Sequence, residues 1–196
     1  MKGENKALSM IVEIFPTYIF LTEYSHTLDE EFKYIKNLKW REPKSSQINL
    51  QSIETRLLHC KELFKIKKFI HKSIIEYLDQ DLLITQSWAN KNPVGTEHPA
   101  HNHANSIVSG VFYFQEDCMP LQFNNISRSI GRLKSDINSD IFKLHTKAGG
   151  LVLFPSHLWH SVLPNQEEVR YSISFNTFSN ELGNKEELTY LNMKEI

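Results

Sequence analysis

The chain's hydrophobic period changes from helical to strand-like near residue 80. Before that point apolar residues recur at three- and four-residue steps, the mark of amphipathic helices. Thr27-Leu28-Asp29-Glu30 opens the first. A Thr with Glu three residues later is a capping box, and both acids suit the positive helix start. Phe32, Ile35 and Leu38 give it an apolar face. A longer helix is predicted from about Ile53 to Leu78, carrying Leu57, Cys60, Leu63, Ile66 or Phe64, Ile70, Ile74 and Tyr77 on one side. Lys61, Lys65, Lys68 and Lys72 lie on the other, which reads as a solvated face. Ahead of the helices, MIVEIFPTYIFL at 10–21 predicts a strand broken or edged at Pro16, and the polar stretch 43–55 predicts a loop.

From Leu82 onward the segments LLITQSWANKN, SIVSGVFYFQ, MPLQFNN, FKLHT, GGLVLF and VRYSISFNTF read as strands. Asn92-Pro93, Lys147-Ala148-Gly149-Gly150 and Pro164-Asn165 separate them as turns. Helices followed by a run of antiparallel strands predict an α+β, mainly β fold, a sandwich or jelly-roll barrel with two N-terminal helices packed on one sheet. The 196 residues are read as a single domain, 1–196, with helical support at about 27–79 and a β-barrel core at about 82–178.

Charge narrows the function little. Lys plus Arg number 22 against 23 for Asp plus Glu, so no basic field points to nucleic acid or an anionic membrane. The two cysteines, Cys60 and Cys118, cannot build a disulfide scaffold or a Cys-based zinc ribbon, and suit a reducing, cytoplasmic setting. The start of the chain, MKGENKALSM, is polar and shows no secretory signal. Exposed edge strands would allow a homodimer, though nothing requires one.

The informative feature is the placement of the nine histidines. His98, His101 and His103 fall within EHPAHNHANS. In extended chain, residues two apart point the same way, so His101 and His103 share a face. That parity continues through Asn105, Ile107, Ser109, Val111, Tyr113 and Gln115, while Val108, Phe112 and Phe114 take the other side. If the aromatic side packs under the helices, the polar side lines the barrel, where it needs water, ligand or metal. GGLVLFPSHLWHSVLP adds His157 and His160. A His-x-His pair with a distant His on another strand is a way for a barrel mouth to grip a metal. His98 is read as an exposed loop residue and His157 as a surface turn.

Ten residues after His160, RYSISFNTF repeats the division: Arg170, Ser172, Ser174 and Asn176 against Tyr171, Ile173, Phe175 and Thr177. An Arg inside a barrel needs an anion, and its planar fork matches a carboxylate, with Ser172 able to add a hydroxyl. An ion pair with an Asp or Glu of the chain is the other reading. A ligand with one carboxylate for Arg170 and one chelating end for the metal would bridge the two, and 2-oxoglutarate has that shape.

WANKNPVGTEHPAHNHANSIVSGVFYFQ and GGLVLFPSHLWHSVLPNQEEVRYSISFNT together resemble the 2-oxoglutarate- and Fe(II)-dependent oxygenases of bacteria and phages, relatives of the prolyl hydroxylases. The resemblance covers roughly residues 12 to 178. It implies a double-stranded β-helix holding one Fe(II), with His101, His103 and His160 as ligands. It implies 2-oxoglutarate as co-substrate, its distal carboxylate on Arg170 with Ser172 and Tyr113, and Asn90 and Asn105 nearby. Trp88, Trp159 and Asn176 are candidates for the substrate side. The activity implied is hydroxylation of an unactivated C–H with O2, 2-oxoglutarate being decarboxylated to succinate and CO2. The substrate implied is a small molecule or a peptidyl side chain such as proline. One position departs from the wider superfamily: His103 stands where an Asp or Glu is usual. Three neutral imidazoles leave Fe(II) at +2, where a carboxylate would bring it to +1. Glu97 and Asp117 are acids close enough in sequence to substitute for it, though neither has the right offset.

Two other readings remain open on these residues. Gly95 and His101-x-His103, then Gly149, Pro155 and His160, match parts of a cupin pattern, without the Glu expected after the His pair. That allows a three-His dioxygenase acting without 2-oxoglutarate. The third reading is a non-catalytic β-barrel binding module.

Overall fold

A computed structural model describes residues 16–43, 45, 48–116, 120–125, 140–166, 168–184 and 186–193. The elements run β1 (Phe20–Glu23), α1 (Asp29–Lys36), β2 (Trp40–Arg41), β3 (Leu50–Ser52), α2 (Phe64–Leu78), β4 (Leu82–Asn92) and β5 (His98–His101). There follow β6 (Val108–Tyr113), β7 (Leu121–Asn124), β8 (Ile141–Leu144), β9 (Gly150–Pro155), β10 (Trp159–Val162), β11 (Arg170–Ser179), β12 (Glu181–Leu182) and β13 (Leu191–Asn192). The expected architecture is present: a large sheet in the order β1-β9-β6-β11-β4-β3-β2 and a small one in the order β5-β10-β7-β8, all pairs antiparallel. This is the double-stranded β-helix, and β12 and β13 form a separate two-stranded ribbon.

Alternation along the central strands divides the apolar residues into two cores. On the helical side, Phe112, Leu151, Leu153, Ile173 and Phe175 meet Ile35 of α1 and Ile66, Ile70 and Ile74 of α2. Phe32 stacks on Phe114 with ring centroids 5.6 Å apart. Between the sheets, Val111, Tyr113, Val152 and Phe154 meet Leu121 and Phe123 of β7. Neighbours in sequence such as Leu153 and Phe154 therefore serve different cores.

Several elements differ from the sequence reading. The first helix begins one residue late, with Leu28 at the N-cap and no side-chain cap bond. Glu30 then stands one position too early to complete a capping box, and the start relies on Asp29, Glu30 and Glu31 in its first turn. The second helix is shorter than predicted. Cys60 is extended, with φ −73° and ψ 142°, and divides a 3-10 turn at Leu57–His59 from a second at Lys61–Leu63 that leads directly into α2. The backbone before it is captured by β4: Leu58 N–H donates to Ser87 Oγ at 2.9 Å, and Ser87 N–H to the Thr55 carbonyl at 2.9 Å. Leu57, Leu58 and Leu63 are nonetheless fully buried, which is why their spacing looked helical. The polar stretch 43–55 contains β3, paired with β2 and β4. Of the early apolar stretch only Phe20 and Leu21 are in a strand; 10–15 lie outside the described residues. No helix among the described residues is long and apolar enough to cross a membrane.

β6 and β11 approach closely at Gly110, where a Cβ would stand 2.2 Å from Phe175 Cζ. Phe175 is fully buried, so its ring would have to shift to admit a Cβ. Gly110→Ala is expected to cost about 1–3 kcal/mol of stability through overpacking, read from urea unfolding. A variant as stable as the parent would show that this contact is looser than described.

Candidate metal centre

His101 closes β5, His103 lies two residues on, and His160 is the second residue of β10. β10 runs antiparallel to β5 with His160 opposite His101. The turn carrying His103 is tied to the end of β9, since His103 N–H donates to the Ser156 carbonyl at 2.9 Å. Ring centroids are 4.9 Å apart for His101 and His103, 4.3 Å for His101 and His160, and 5.1 Å for His103 and His160. One nitrogen from each ring lies within 4.8 Å of the other two.

The rings are held in a definite protonation pattern. His101 Nδ1 meets the Pro99 carbonyl at 2.8 Å, and His160 Nδ1 meets the Leu158 carbonyl at 2.9 Å. A carbonyl can only accept, so Nδ1 carries a proton in both rings and Nε2 is the nitrogen left to face a cation. Burial, with the His101 imidazole adding to it, pushes His103 down to about 4. Burial likewise pushes His160 down to about 3 against the favourable Leu158 contact. At neutral pH these are uncharged nitrogen donors. Such a set suits a divalent transition metal and fits the iron that the resemblance implies.

The strand register places the remaining polar groups. Tyr113 of β6 and Asn90 of β4 flank Ser172 of β11 as Cα partners, forming one row across the sheet. Val111, Ser174 and Trp88 form the next row, and Ser109, Asn176 and Gln86 the third. Arg170, 3% exposed, stands beyond the first row with its guanidinium 5.1 Å from the centre of the Tyr113 ring. Arg170, Ser172, Tyr113 and Asn90 line one pocket with His101, His103 and His160. Its open interior is only ≈40 Å³, so a five-carbon diacid enters only if wall side chains shift. A larger, mainly apolar cleft of ≈540 Å³, lined among others by Ile19, Phe123, Phe142 and Trp159, shares no lining residue with it.

Some candidates lie elsewhere. Asn105 is exposed in a turn, with φ 66°, and does not line the pocket, so the expectation that it belongs there is corrected. The polar alternation that suggested it starts only where β6 does. Trp159 faces the larger cleft, whereas Trp88 lines the histidine pocket. Glu97 is absent from the cluster, and Asp117 lies outside the described residues. His157 is exposed, as read from its turn.

His98 is the main residue the sequence reading missed. It lines the pocket, its ring centroid is 4.5 Å from that of His101, and burial first, then His101, His103 and Arg170, pushes it down to about 4. Strict alternation would put His98 and His101 on opposite faces. The register prevents this, because His160 and Val162 on β10 are opposed by His101 and His98 on β5. Two residue steps face three, a β-bulge that turns both rings to one side. Pro99 inside so short a strand was the available signal. Asn49, which no sequence signal marked, holds His98 Nδ1 through Oδ1 at 2.6 Å and donates Nδ2 to Asn90 Oδ1 at 3.1 Å.

The depressed imidazoles give a pH prediction for the metal-free protein. In the unfolded chain histidines titrate near ~6.5. Between that value and about 4 the unfolded state binds protons that folded His98, His103 and His160 do not. Stability should therefore fall as pH falls through this window. Urea midpoints at about pH 7 and pH 5 test it: the drop should be smaller in His160→Gln, which removes one such group. An equal drop in both proteins would contradict the assignment.

Comparison with known proteins bears on the family and the fold. Residues 86–176 match the family model described as "Putative 2OG-Fe(II) oxygenase". A search of the curated proteins finds no match. Among solved structures, HygX of Streptomyces hygroscopicus with nickel and 2-oxoglutarate bound is similar at TM-score 0.62 and 10% identity, over 83% of each chain. A Pseudomonas putida prolyl-4-hydroxylase is similar at TM-score 0.56 and 16% identity, over 83% of this chain and 93% of that one. A Trichoplax adhaerens prolyl hydroxylase in complex with a peptide fragment is similar at TM-score 0.59 and 12% identity, over 82% and 83%. At these identities the structural likeness speaks for the fold.

Proposed function

We propose that this chain, whose segment 86–176 belongs to the 2OG-Fe(II) oxygenase family, uses His101, His103 and His160 to hold Fe(II) and Arg170 to bind 2-oxoglutarate. The observation that carries the reading is the meeting of three imidazoles, one nitrogen of each within 4.8 Å of the others, in a pocket that also holds a buried guanidinium. When bound, iron with 2-oxoglutarate and O2 supplies oxidation of a C–H bond, coupled to decarboxylation of the co-substrate to succinate and CO2.

The chain's own residues bind, orient and exclude water. Arg170 offers the distal carboxylate two parallel N–H donors. Ser172 and Tyr113, adjacent across the β11–β6 pair, add hydroxyls at the same end. Asn90 is itself held in place, donating Nδ2 to Ser174 Oγ at 2.8 Å while its Oδ1 accepts from Asn49. Trp88, 6.1 Å from His103 between ring centroids, borders the reacting end. Phe154, 4.7 Å from His160, shields the metal side. The place of Arg170 favours this reading over the three-histidine cupin one, which has no use for a cation there. The substrate is a small molecule or a peptidyl side chain.

Anaerobic titration of the metal-free protein with Fe(II), then 2-oxoglutarate, followed by visible absorption, tests the reading. A charge-transfer band requiring both is expected. Iron binding without the band would favour the cupin-type reading, and no iron binding would leave a binding module. Two variants separate the roles. Arg170→Ala should weaken 2-oxoglutarate at least about tenfold, the loss of a charge-assisted hydrogen bond, and leave Fe(II) binding intact. His160→Ala should abolish metal binding with the fold retained. Full metal occupancy in that variant would place the third ligand elsewhere.

A further inference from the structure

Of the three clustered rings, His103 is the one whose Nδ1 meets a side-chain amide. The Nδ1 atoms of His101 and His160 each face a backbone carbonyl two residues back in the chain. His103 Nδ1 instead faces Asn176 Nδ2, 3.4 Å away. In that orientation the ring nitrogen accepts from the amide, so the imidazole proton sits on Nε2. A proton there would occupy the nitrogen that the other two rings leave open for a cation.

Asn176 is not isolated. Ser109 Oγ donates to its Oδ1 at 2.8 Å, and Ser109 Oγ lies 2.8 Å from Ser156 Oγ. Ser156 Oγ donates to Ser106 Oγ at 2.8 Å, and Ser106 Oγ to the Thr177 carbonyl at 3.0 Å. Ser109 and Ser156 are buried. Turning the Asn176 amide by 180° keeps this chain of bonds and gives it one direction. Asn176 Oδ1 then accepts from His103 Nδ1–H, and Asn176 Nδ2 donates to Ser109 Oγ. Ser109 donates to Ser156, Ser156 to Ser106, and Ser106 to the Thr177 carbonyl. Hydroxyls rotate to suit, so no donor in the chain is lost.

We propose that Asn176, braced by Ser109, Ser156 and Ser106, is a positioning residue that fixes the tautomer of His103 with Nδ1 protonated and Nε2 free for the metal. This rests on the three-histidine reading of the site. It matters because of the departure at position 103. A carboxylate there needs no tautomer to be chosen, whereas an imidazole does. Asn176 supplies for His103 what Pro99 and Leu158 supply for the other two rings.

Zn(II) serves as a diamagnetic probe, with calorimetry for affinity and long-range 1H–15N spectra for ring tautomers. In the Zn(II)-loaded parent, His103 should show a protonated Nδ1 and a metal-bound Nε2. Asn176→Ala should bind Zn(II) about 10–100-fold more weakly, the usual effect of removing a ligand's hydrogen-bond partner. Asn176→Asp offers only acceptors and should restore affinity to within a few-fold of the parent, which a loss of general packing would not predict. A metal-bound Nδ1 of His103, or parental Zn(II) affinity in Asn176→Ala, would overturn the proposal alone. His101→Ala is the control. Parental affinity there, or no Zn(II) binding by the parent, would overturn the three-histidine reading and this proposal with it.

Discussion

β11 carries both the core and the candidate site, and it can do so only because a strand presents alternate residues to opposite faces. Its buried Ile173 and Phe175 belong to the core under the helices. Arg170, Ser172 and Ser174 turn toward the pocket. It is hydrogen-bonded on both sides, to β4 and to β6, so each polar row extends laterally into both neighbours. A one-residue slip would send Arg170 into the apolar core and Ile173 into the pocket. Gly110, packed against the Phe175 ring, opposes such a slip because a residue with a Cβ would not fit there.

The site's electrostatics follow from this packing. Imidazoles this close cannot all be charged, and burial pushes His98, His103 and His160 well below the ordinary histidine range. The folded pocket therefore presents neutral nitrogen donors beside a permanent cation at Arg170. A divalent metal held by three neutral ligands keeps its full charge, and Arg170 adds another. A dianion spanning the two offsets more of that charge than a monoanion would. On the proposed reading, the histidine in place of a carboxylate shifts charge balance from the protein onto the co-substrate.

Most of the strand framework was legible because period-two alternation is local. β4 runs from Leu82 to Asn92, the bounds read from sequence, and the polar and apolar sides of β6 and β11 divide as expected. His101, His103 and His160 were legible through parity and spacing. What failed was decided by distant contacts. The helix predicted from Ile53 gives way because Ser87, on another strand, captures the Leu58 amide. His98 was misplaced because a bulge against β10 breaks the alternation that correctly paired His101 with His103. Asn49 joins the pocket through a parallel bridge between Ile48 and Glu97, which no window along the chain encodes.

The same distinction explains why Asn176 was readable as a residue of the polar face of β11 but not as a partner of His103. Parity placed it on the polar face of β11. Its register opposite Ser109, and the closeness of Ser156 to both Ser109 and Ser106, depend on how β6, β9 and β11 pair and how the turn after β9 folds back. An isolated buried serine gains little over alanine, since its hydroxyl must find partners or be penalised. Three serines within hydrogen-bond reach remove that penalty together. They also convert a soft contact into one with a fixed direction, because the last hydroxyl ends on a backbone carbonyl that can only accept. A carboxylate ligand would need no such brace. The hydroxyl-rich wall behind His103 thus has a use with an imidazole at residue 103 that it would not have with a carboxylate there.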